Sequence, residues 1–306
     1  MHFLRHVHLH HVQLPGNPAV QAVRCPADGA RAGSAHHRIG ADPRLAGALI
    51  ERFITARSAI APMLAEPNVL STQISQFLHG HDALVLETRN DWLRVRGADQ
   101  YEGWVHEAYF TERNGNAEGL ASGWKSDRPM SLGCVVTEKD GQLRKLPLGA
   151  LLSEGDTVED GKVISGEERR ALFPSTGEAI TQTAISYFEG TYYQWGGITP
   201  WGCDCSGLAQ STYSLHGVQI RRDAALQATE GVEVAGGLDG LQPADLLFFS
   251  DREDGYITHV ALSRGDRKIV HLTLYQGGHA LDDLDSSHPR LRKLRSRFRF
   301  ARRILR

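Results

Sequence analysis

One stretch constrains this chain more than any other: Tyr192 to Gly217, YYQWGGITPWGCDCSGLAQSTYSLHG. Its first half is rich in glycine and aromatic residues and reads as a tight, turn-laden approach. At Cys205 the character changes to helix, with good helix formers at Ala209 and Gln210, apolar surface from Leu208, Tyr213 and Leu215, and Gly217 as a stop. Asp204 is a good N-cap. Cys205 therefore falls in the first helical turn, where unpaired backbone N–H groups and the positive end of the helix dipole favour a thiolate. Such a sulfur is a nucleophile if a base can reach it.

Register arithmetic supplies the base. Downstream, ITHVALSRGDRKIVHLTLY holds two β-branched runs around Arg264-Gly265-Asp266, a hairpin signal. With the turn centred on Gly265, His259 faces His271 and Ala261 faces Ile269. Directly opposed side chains share one face, with Cβ atoms about 4.5–5.5 Å apart. A helix-start cysteine with two adjacent imidazoles fits nucleophilic catalysis, one ring moving the thiol proton and the other orienting the first. His259 is assigned as base and His271 as orienter, although spacing alone allows the reverse.

The rest of the chain divides into four parts. Residues 1–57 are an extension without a clear period, carrying histidines at 2, 6, 8, 10 and 11 and one short helix expected at Leu45 to Phe53. Residues 58–120 read as a small all-β barrel: Ala83–Glu87 and Trp92–Arg96 are strands around the turn Arg89-Asn90-Asp91, and Tyr101–Val105 follows. Residues 121–174 look like a weaker second barrel, with strands at Gly133–Thr137 and Leu143–Leu146 around Asp140-Gly141. From 175 to 306 the texture is mixed: an amphipathic helix from Gly177 to Glu189, the Cys205 helix, and a buried central strand in LQPADLLFF, Leu241 to Phe249.

Composition excludes more than it selects. Net charge is −2, but residues 288–306 hold nine Lys or Arg and no acid, leaving 25 basic against 36 acidic groups, or −11, in the rest. The alternation Arg297-Phe298-Arg299-Phe300 reads this tail as an edge strand whose charges discourage edge pairing, rather than a nucleic-acid arm. Four cysteines, at 25, 134, 203 and 205, are too few for a disulfide framework, and Cys203-x-Cys205 lacks the second pair that a zinc site needs. No apolar run reaches the ~18–20 residues of a membrane span, and the histidines break up any signal-peptide core. The expectation is a cytoplasmic protein with no cofactor, no metal and neither nucleic-acid nor membrane partner.

Five ordered motifs carry a family resemblance: Tyr193-x-Trp195-Gly-Gly, Gly202-Cys-Asp204-Cys205-Ser206-Gly-Leu, Leu241-Gln-Pro-Ala-Asp-Leu-Leu-Phe-Phe, Thr258-His259-Val-Ala-Leu, and Ile269-Val-His271. Over about residues 177–306 the chain resembles the NlpC-type cell-wall cysteine peptidases, an α+β papain-like fold in which helices pack on an antiparallel sheet. The pattern D-W-L-R-V-R…Y-E-G-W-V resembles bacterial barrels of the Src-homology-three type. Two barrels ahead of such a domain resemble the gamma-D-glutamyl-L-diamino-acid endopeptidase branch.

The resemblance implies Cys205, rather than Cys203, as nucleophile, with His259 and His271 completing the site. It implies murein tri- or tetrapeptide fragments as substrates, cut after γ-D-glutamate during cell-wall recycling. Tyr193 would help hold the oxyanion, with Trp195 beside it; Asp204 and Ser206 would shape the D-glutamate cleft; Asp223 and Tyr101 would receive the free ammonium of L-Ala. Asp223 also reads as a plain helix N-cap. Two positions depart from the pattern. Pro243-Ala244-Asp245 replaces Pro-Gly-Asp, which predicts an altered turn, and His81 (or Asp82) stands where an acidic residue of the amine pocket is expected. Two other functions remain open on the residues alone: an amidase or acyltransferase with the same Cys–His–His set, and a non-catalytic murein-binding barrel protein.

Overall fold

The computed structural model describes residues 51–113, 120 and 126–305. The histidine-rich stretch and Cys25 lie outside the described residues, as does most of the helix expected at Leu45 to Phe53. The end of that helix is corrected: Arg52 and Phe53 open a strand. The first all-β unit comprises β1 (Arg52–Ala56), β2 (Ile60–Leu64), β3 (Gln73–Leu78), β4 (Asp82–Arg89), β5 (Trp92–Gly97), β6 (Glu102–His106) and β7 (Phe110–Arg113). They form one antiparallel sheet in the order β3-β2-β6-β5-β4-β1-β7. Its core buries Ile54, Ala61, Met63, Phe77, Val95, Val105 and Phe110. This unit thus begins at Arg52 rather than 58, because β1 pairs on both edges, with β4 and β7.

The second all-β unit is smaller than the expected barrel. Strands β8 (Met130–Thr137), β9 (Leu143–Leu146) and β10 (Thr157–Ile164) make a three-stranded sheet, and helix α1 (Gly166–Leu172) follows behind a complete capping box at Ser165 and Glu168. Its seam with the first unit buries Leu78 against Leu146, Ala150 and Leu152 and also carries polar contacts. His81 Nε2 donates to the Gly149 carbonyl across it at 3.0 Å, and burial lowers the His81 imidazole from its ordinary 6.5 to about 4.

The remaining residues form a layer of helices on a sheet. Helix α2 (Gly177–Ser186) and strands β11 (Ile198–Thr199) and β12 (Gly202–Cys203) lead into helix α3 (Cys205–Leu215) and the short α4 (Ala224–Gln227). Strands β13 (Val232–Glu233), β14 (Leu246–Phe249), β15 (His259–Gly265), β16 (Lys268–Thr273) and β17 (Gly278–Asp283), helix α5 (Pro289–Ser296) and strand β18 (Phe298–Arg303) complete it. The sheet order is β13-β18-β14-β15-β16-β17. Strand β14 is interior and wholly buried, as its apolar run predicts. One face, with Leu246, Phe248, Val260, Leu262, Val270 and Leu272, packs on α2 and α3; Leu247, Phe249, Ala261 and Ile269 on the other contact Leu294 and Phe298, from α5 and β18. The basic tail is therefore half helix, and its strand is bordered on the outside only by the two-residue β13. Its charges have internal partners: Arg303 grips Asp245 at 2.7 and 2.9 Å, and Arg290 grips Asp282 at 2.7 and 2.9 Å. Among the described residues no helix is long and apolar enough to cross a membrane.

The Pro243-Ala244-Asp245 turn keeps the conformation that glycine would give it. Ala244 sits at φ 68°, its N–H bonded to Ser263 O at 2.9 Å and its carbonyl to the Tyr213 hydroxyl at 2.5 Å. Tertiary hydrogen bonds hold the alanine in a left-handed region that costs an L-residue ~1–2 kcal/mol. Glycine there would relieve that strain while enlarging unfolded-state entropy by ~0.4–1 kcal/mol. Ala244→Gly should therefore raise stability by about 1 kcal/mol in urea unfolding; a loss of stability would show that the turn is unstrained.

His81 makes a second expectation. Its folded pKa of about 4 lies below the unfolded 6.5, so the unfolded chain takes up the proton first. Its contribution to stability is whole above pH 6.5 and is lost as pH falls towards 4, by up to about 3 kcal/mol. His81→Gln keeps an N–H donor for Gly149 but cannot titrate, so its unfolding free energy should fall less over that range than the wild type's.

Candidate active site

The Cys205 helix starts where the sequence places it. Asp204 is the N-cap, its Oδ1 accepting the Gly207 N–H at 2.7 Å. A Cβ at Gly207 would collide with the Gly197 carbonyl, so the first turn of α3 lies directly against the glycine-rich approach. At the other end Gly217, at φ 77°, closes the helix, with Val218 N–H bonded to Tyr213 O at 3.0 Å.

Asp204 does far more than cap. Its second oxygen accepts the Gly196 N–H at 2.8 Å, and Arg222 binds the carboxylate in fork geometry at 3.0 and 2.7 Å. Arg222 is 1% exposed and reaches three further oxygens: Ser206 Oγ at 2.9 Å, Ser75 Oγ of β3 at 3.2 Å and Gly197 O at 3.4 Å. Burial works against the guanidinium's charge, but the Asp204 carboxylate overrides it and holds the pKa above its ordinary value. Asp204 and Ser206 are thus engaged inside the protein, shaping the helix start from beneath. Arg222 was not singled out from the sequence. Its only signal is its place beside Asp223 in R-R-D-A.

The hairpin register differs from the arithmetic. Leu262 pairs with Val270 and Ser263 with Ile269, two residues from the expected alignment. Asp266 and Arg267, at φ 46° and 56°, make a two-residue turn closed by Gly265 and Lys268, a geometry that suits the twist of the strands, and the register shifts at Arg264, between Ser263 and Gly265. His259 and His271 are therefore diagonal rather than opposed. Because the shift is even, they keep one face, and His259 Nε2 meets His271 Nδ1 at 2.8 Å. The chain of contacts continues beyond the expected pair: His271 Nε2 donates to Asp282 Oδ2 at 3.0 Å, and Arg290 and Gln276 also bind Asp282. Burial would raise the Asp282 pKa, but hydrogen bonds from His271 and Arg290 hold it well below the usual carboxylate range. With Asp282 as acceptor, His271 carries its proton on Nε2 and offers Nδ1 to His259 Nε2–H. That leaves His259 Nδ1 as the free lone pair.

The Cys205 sulfur lies by the backbone N–H of Val260, the residue after His259. Burial pushes the thiol up to about 12, with Asp204 adding to the rise; the N–H groups of Val260 and Ser206 pull the other way. Burial also lowers the His259 imidazole well below its ordinary value, with His271 and Arg297 contributing. Both shifts favour the uncharged thiol and imidazole over the thiolate that the helix start alone suggests. The dipole is outweighed by desolvation. Tyr193 is half-buried near Cys205; burial, then the Asp204 charge, raises its pKa, so its hydroxyl remains a proton donor.

Tyr101 and Asp223 are brought into contact. The Tyr101 hydroxyl, from the turn before β6, lies 3.0 Å from both Asp223 oxygens. Asp223 occupies the N-cap position of α4 but makes no capping bond, so its carboxylate faces the first all-β unit instead. Burial raises its pKa, and Arg222 and Tyr101 only partly offset that. Trp195 is 59% exposed, its carbonyl held by Gln73 Nε2 of β3 at 3.0 Å. His81 lines a small cavity with Tyr101, but its Nε2 is committed to Gly149 and its ring is neutral. Asp82 is engaged by Thr55 Oγ1 at 2.5 Å and Arg113 at 3.2 Å. Neither matches an exposed acid awaiting an amine. Among the described residues no group of three His, Cys, Asp or Glu is arranged to hold a metal ion.

A cysteine at the start of a buried helix, two hydrogen-bonded histidines on the facing sheet and the helix-on-sheet layering define a papain-like cysteine peptidase. Comparison with known proteins specifies the lineage. Residues 190–297 match the NlpC/P60 family, and residues 63–109 match the bacterial dipeptidyl-peptidase Sh3 domain. The chain is 31% identical over 266 residues to dipeptidyl-peptidase 6 of Lysinibacillus sphaericus, covering 76% of this chain and 92% of that one. It is 31% identical over 225 residues to gamma-D-glutamyl-L-lysine dipeptidyl-peptidase of Bacillus subtilis, covering 68% and 74%. A crystal structure of an NlpC/P60 family protein from Bacillus cereus superposes with a TM-score of 0.65 at 20% identity, over 83% of this chain and all of that one. The chain belongs to the NlpC/P60 family and is a cysteine peptidase.

Arg222→Met should lower unfolding free energy by about 3–5 kcal/mol, the consequence of leaving Asp204 buried without its partner. A loss under about 1 kcal/mol in urea titration would mean that the pair does not hold the helix start.

Proposed function

We propose that this peptidase releases L-Ala-γ-D-Glu from murein peptides by hydrolysing the amide bond between γ-D-glutamate and the following diamino acid. The observation that carries this reading is the Tyr101–Asp223 contact, which sets a carboxylate between the first all-β unit and the peptidase layer. A part-buried carboxylate with a raised pKa gains from a cationic partner, and a free α-ammonium supplies one. The all-β unit beside it limits how far the substrate extends past that amine, which favours dipeptide release. The relatives named dipeptidyl-peptidases agree with that outcome.

In the proposed reaction the Cys205 thiol passes its proton to His259 as the sulfur adds to the γ-carbonyl carbon. His271, fixed by Asp282, keeps His259 in the accepting tautomer. The Tyr193 hydroxyl and the first-turn N–H groups of α3 stabilise the developing oxyanion. The C–N bond then breaks, His259 protonates the leaving amine, and a thioester to Cys205 remains. Water, losing a proton to His259, attacks that thioester; the acid departs and the thiol regains its proton. Starting from a neutral pair suits this sequence, because His259 must be unprotonated to accept the first proton.

The test compares L-Ala-γ-D-Glu-L-Lys with its N-acetylated form by chromatography of released products. The free-amine peptide should be cleaved about 30-fold faster or more in kcat/KM, the scale of a lost charge-assisted contact. Asp223→Asn should narrow that ratio, and Cys205→Ala should abolish turnover with the fold intact. Equal cleavage of both peptides by the wild type would sink the amine-pocket reading.

A further inference from the structure

A groove of about 480 Å³ adjoins the histidine pair and takes part of its wall from α5. That size falls in the ~300–1,000 Å³ range of small-ligand pockets. Both His259 and His271 line it, Cys205 does not, and Arg290, Lys293, Arg297 and Asp251 surround it. Two of the cations have partners: Arg290 is held by Asp282, and Arg297 lies 3.6 Å from Asp251. Among the described residues Lys293 has no ion-pair partner, and its side chain is exposed one helical turn before Arg297.

We infer that this groove receives the leaving group, with Lys293, supported by Arg297, reading a carboxylate of the diamino acid. The inference rests on the hydrolysis proposed above. In any such reaction the acyl portion is bonded to the cysteine while the departing amine takes its proton from the base. The leaving nitrogen therefore starts within reach of both Cys205 and His259, while the rest of the leaving residue extends beside His259 and away from Cys205. The groove meets both conditions. Its chemistry fits the same ligand, since a departing amino acid presents a carboxylate on the carbon that bears the new amine. The unpartnered ammonium answers that group, and Asp251, shared with Arg297 and Thr258, faces the distal ammonium of a diamino side chain. In the sequence Arg290, Lys293 and Arg297 stand out only as members of a basic tail.

The test uses L-Ala-γ-D-Glu-L-Lys with a free C-terminal carboxylate and the same peptide as its C-terminal carboxamide, measuring kcat/KM for dipeptide release. The wild type should prefer the carboxylate by about fivefold, the scale of one solvent-accessible charge contact. Lys293→Gln should bring that ratio close to one, and Lys293→Arg should preserve it. Because Lys293 is exposed, neither change threatens folding. An equal ratio in wild type and Lys293→Gln overturns the inference, as does a wild type indifferent to the carboxamide, while in both cases dipeptide release still stands. Release from neither peptide instead overturns the hydrolysis proposed above, and this inference with it.

Discussion

The carboxylate of Asp204 and the guanidinium of Arg222 hold the site together from below. Two charges removed from water are favourable only when every remaining lone pair and proton finds a partner, and here they do. Asp204 binds two backbone N–H groups and the Arg222 fork, while Arg222 extends to Ser206, Gly197 and Ser75. Through these contacts one ion pair fixes the start of α3, the glycine-rich approach and β3 of the first all-β unit. The nucleophile's position and the unit that limits substrate length are thus set by the same interaction.

That shared anchor explains the polar contacts across the seam. Gln73 reaches the Trp195 carbonyl, Gln76 receives the Ile198 N–H, Gln210 bonds Asp99, and Gln219 bonds the Ala98 carbonyl. The last three satisfy groups that the seam buries wholly or in part. Together they set the Tyr101 hydroxyl beside Asp223. A relay of similar logic runs on the other side, where Arg290 and Gln276 orient Asp282, Asp282 orients His271, and His271 orients His259.

Much of this was legible before any coordinates. The α3 helix, its Asp204 cap and its Gly217 stop follow from local capping chemistry and appear as expected. Strand β14 announced itself by an unbroken apolar run, and the hairpin signal around Gly265 was sound in kind. The histidine register was wrong by two residues because turn type, not the position of the glycine, sets the alignment. It did no harm to the pairing of the rings, since only an odd slip changes faces. Alanine at 244 predicts a changed turn, yet the turn persists because its hydrogen bonds outweigh the strain of one left-handed alanine.

The sequence by itself determined which cysteine opens a helix, which two histidines share a strand face, and that all-β material precedes a helix-on-sheet domain. These depend on caps, periodicity and turn residues within a few positions of one another. Only the tertiary structure decided that Arg222 completes Asp204, that Asp282 backs His271, and that burial favours the uncharged forms of Cys205 and His259. Those outcomes depend on burial and on partners tens of residues or more apart. Local pattern carries no desolvation, and desolvation reverses the first-turn expectation for the thiol at the centre of the site.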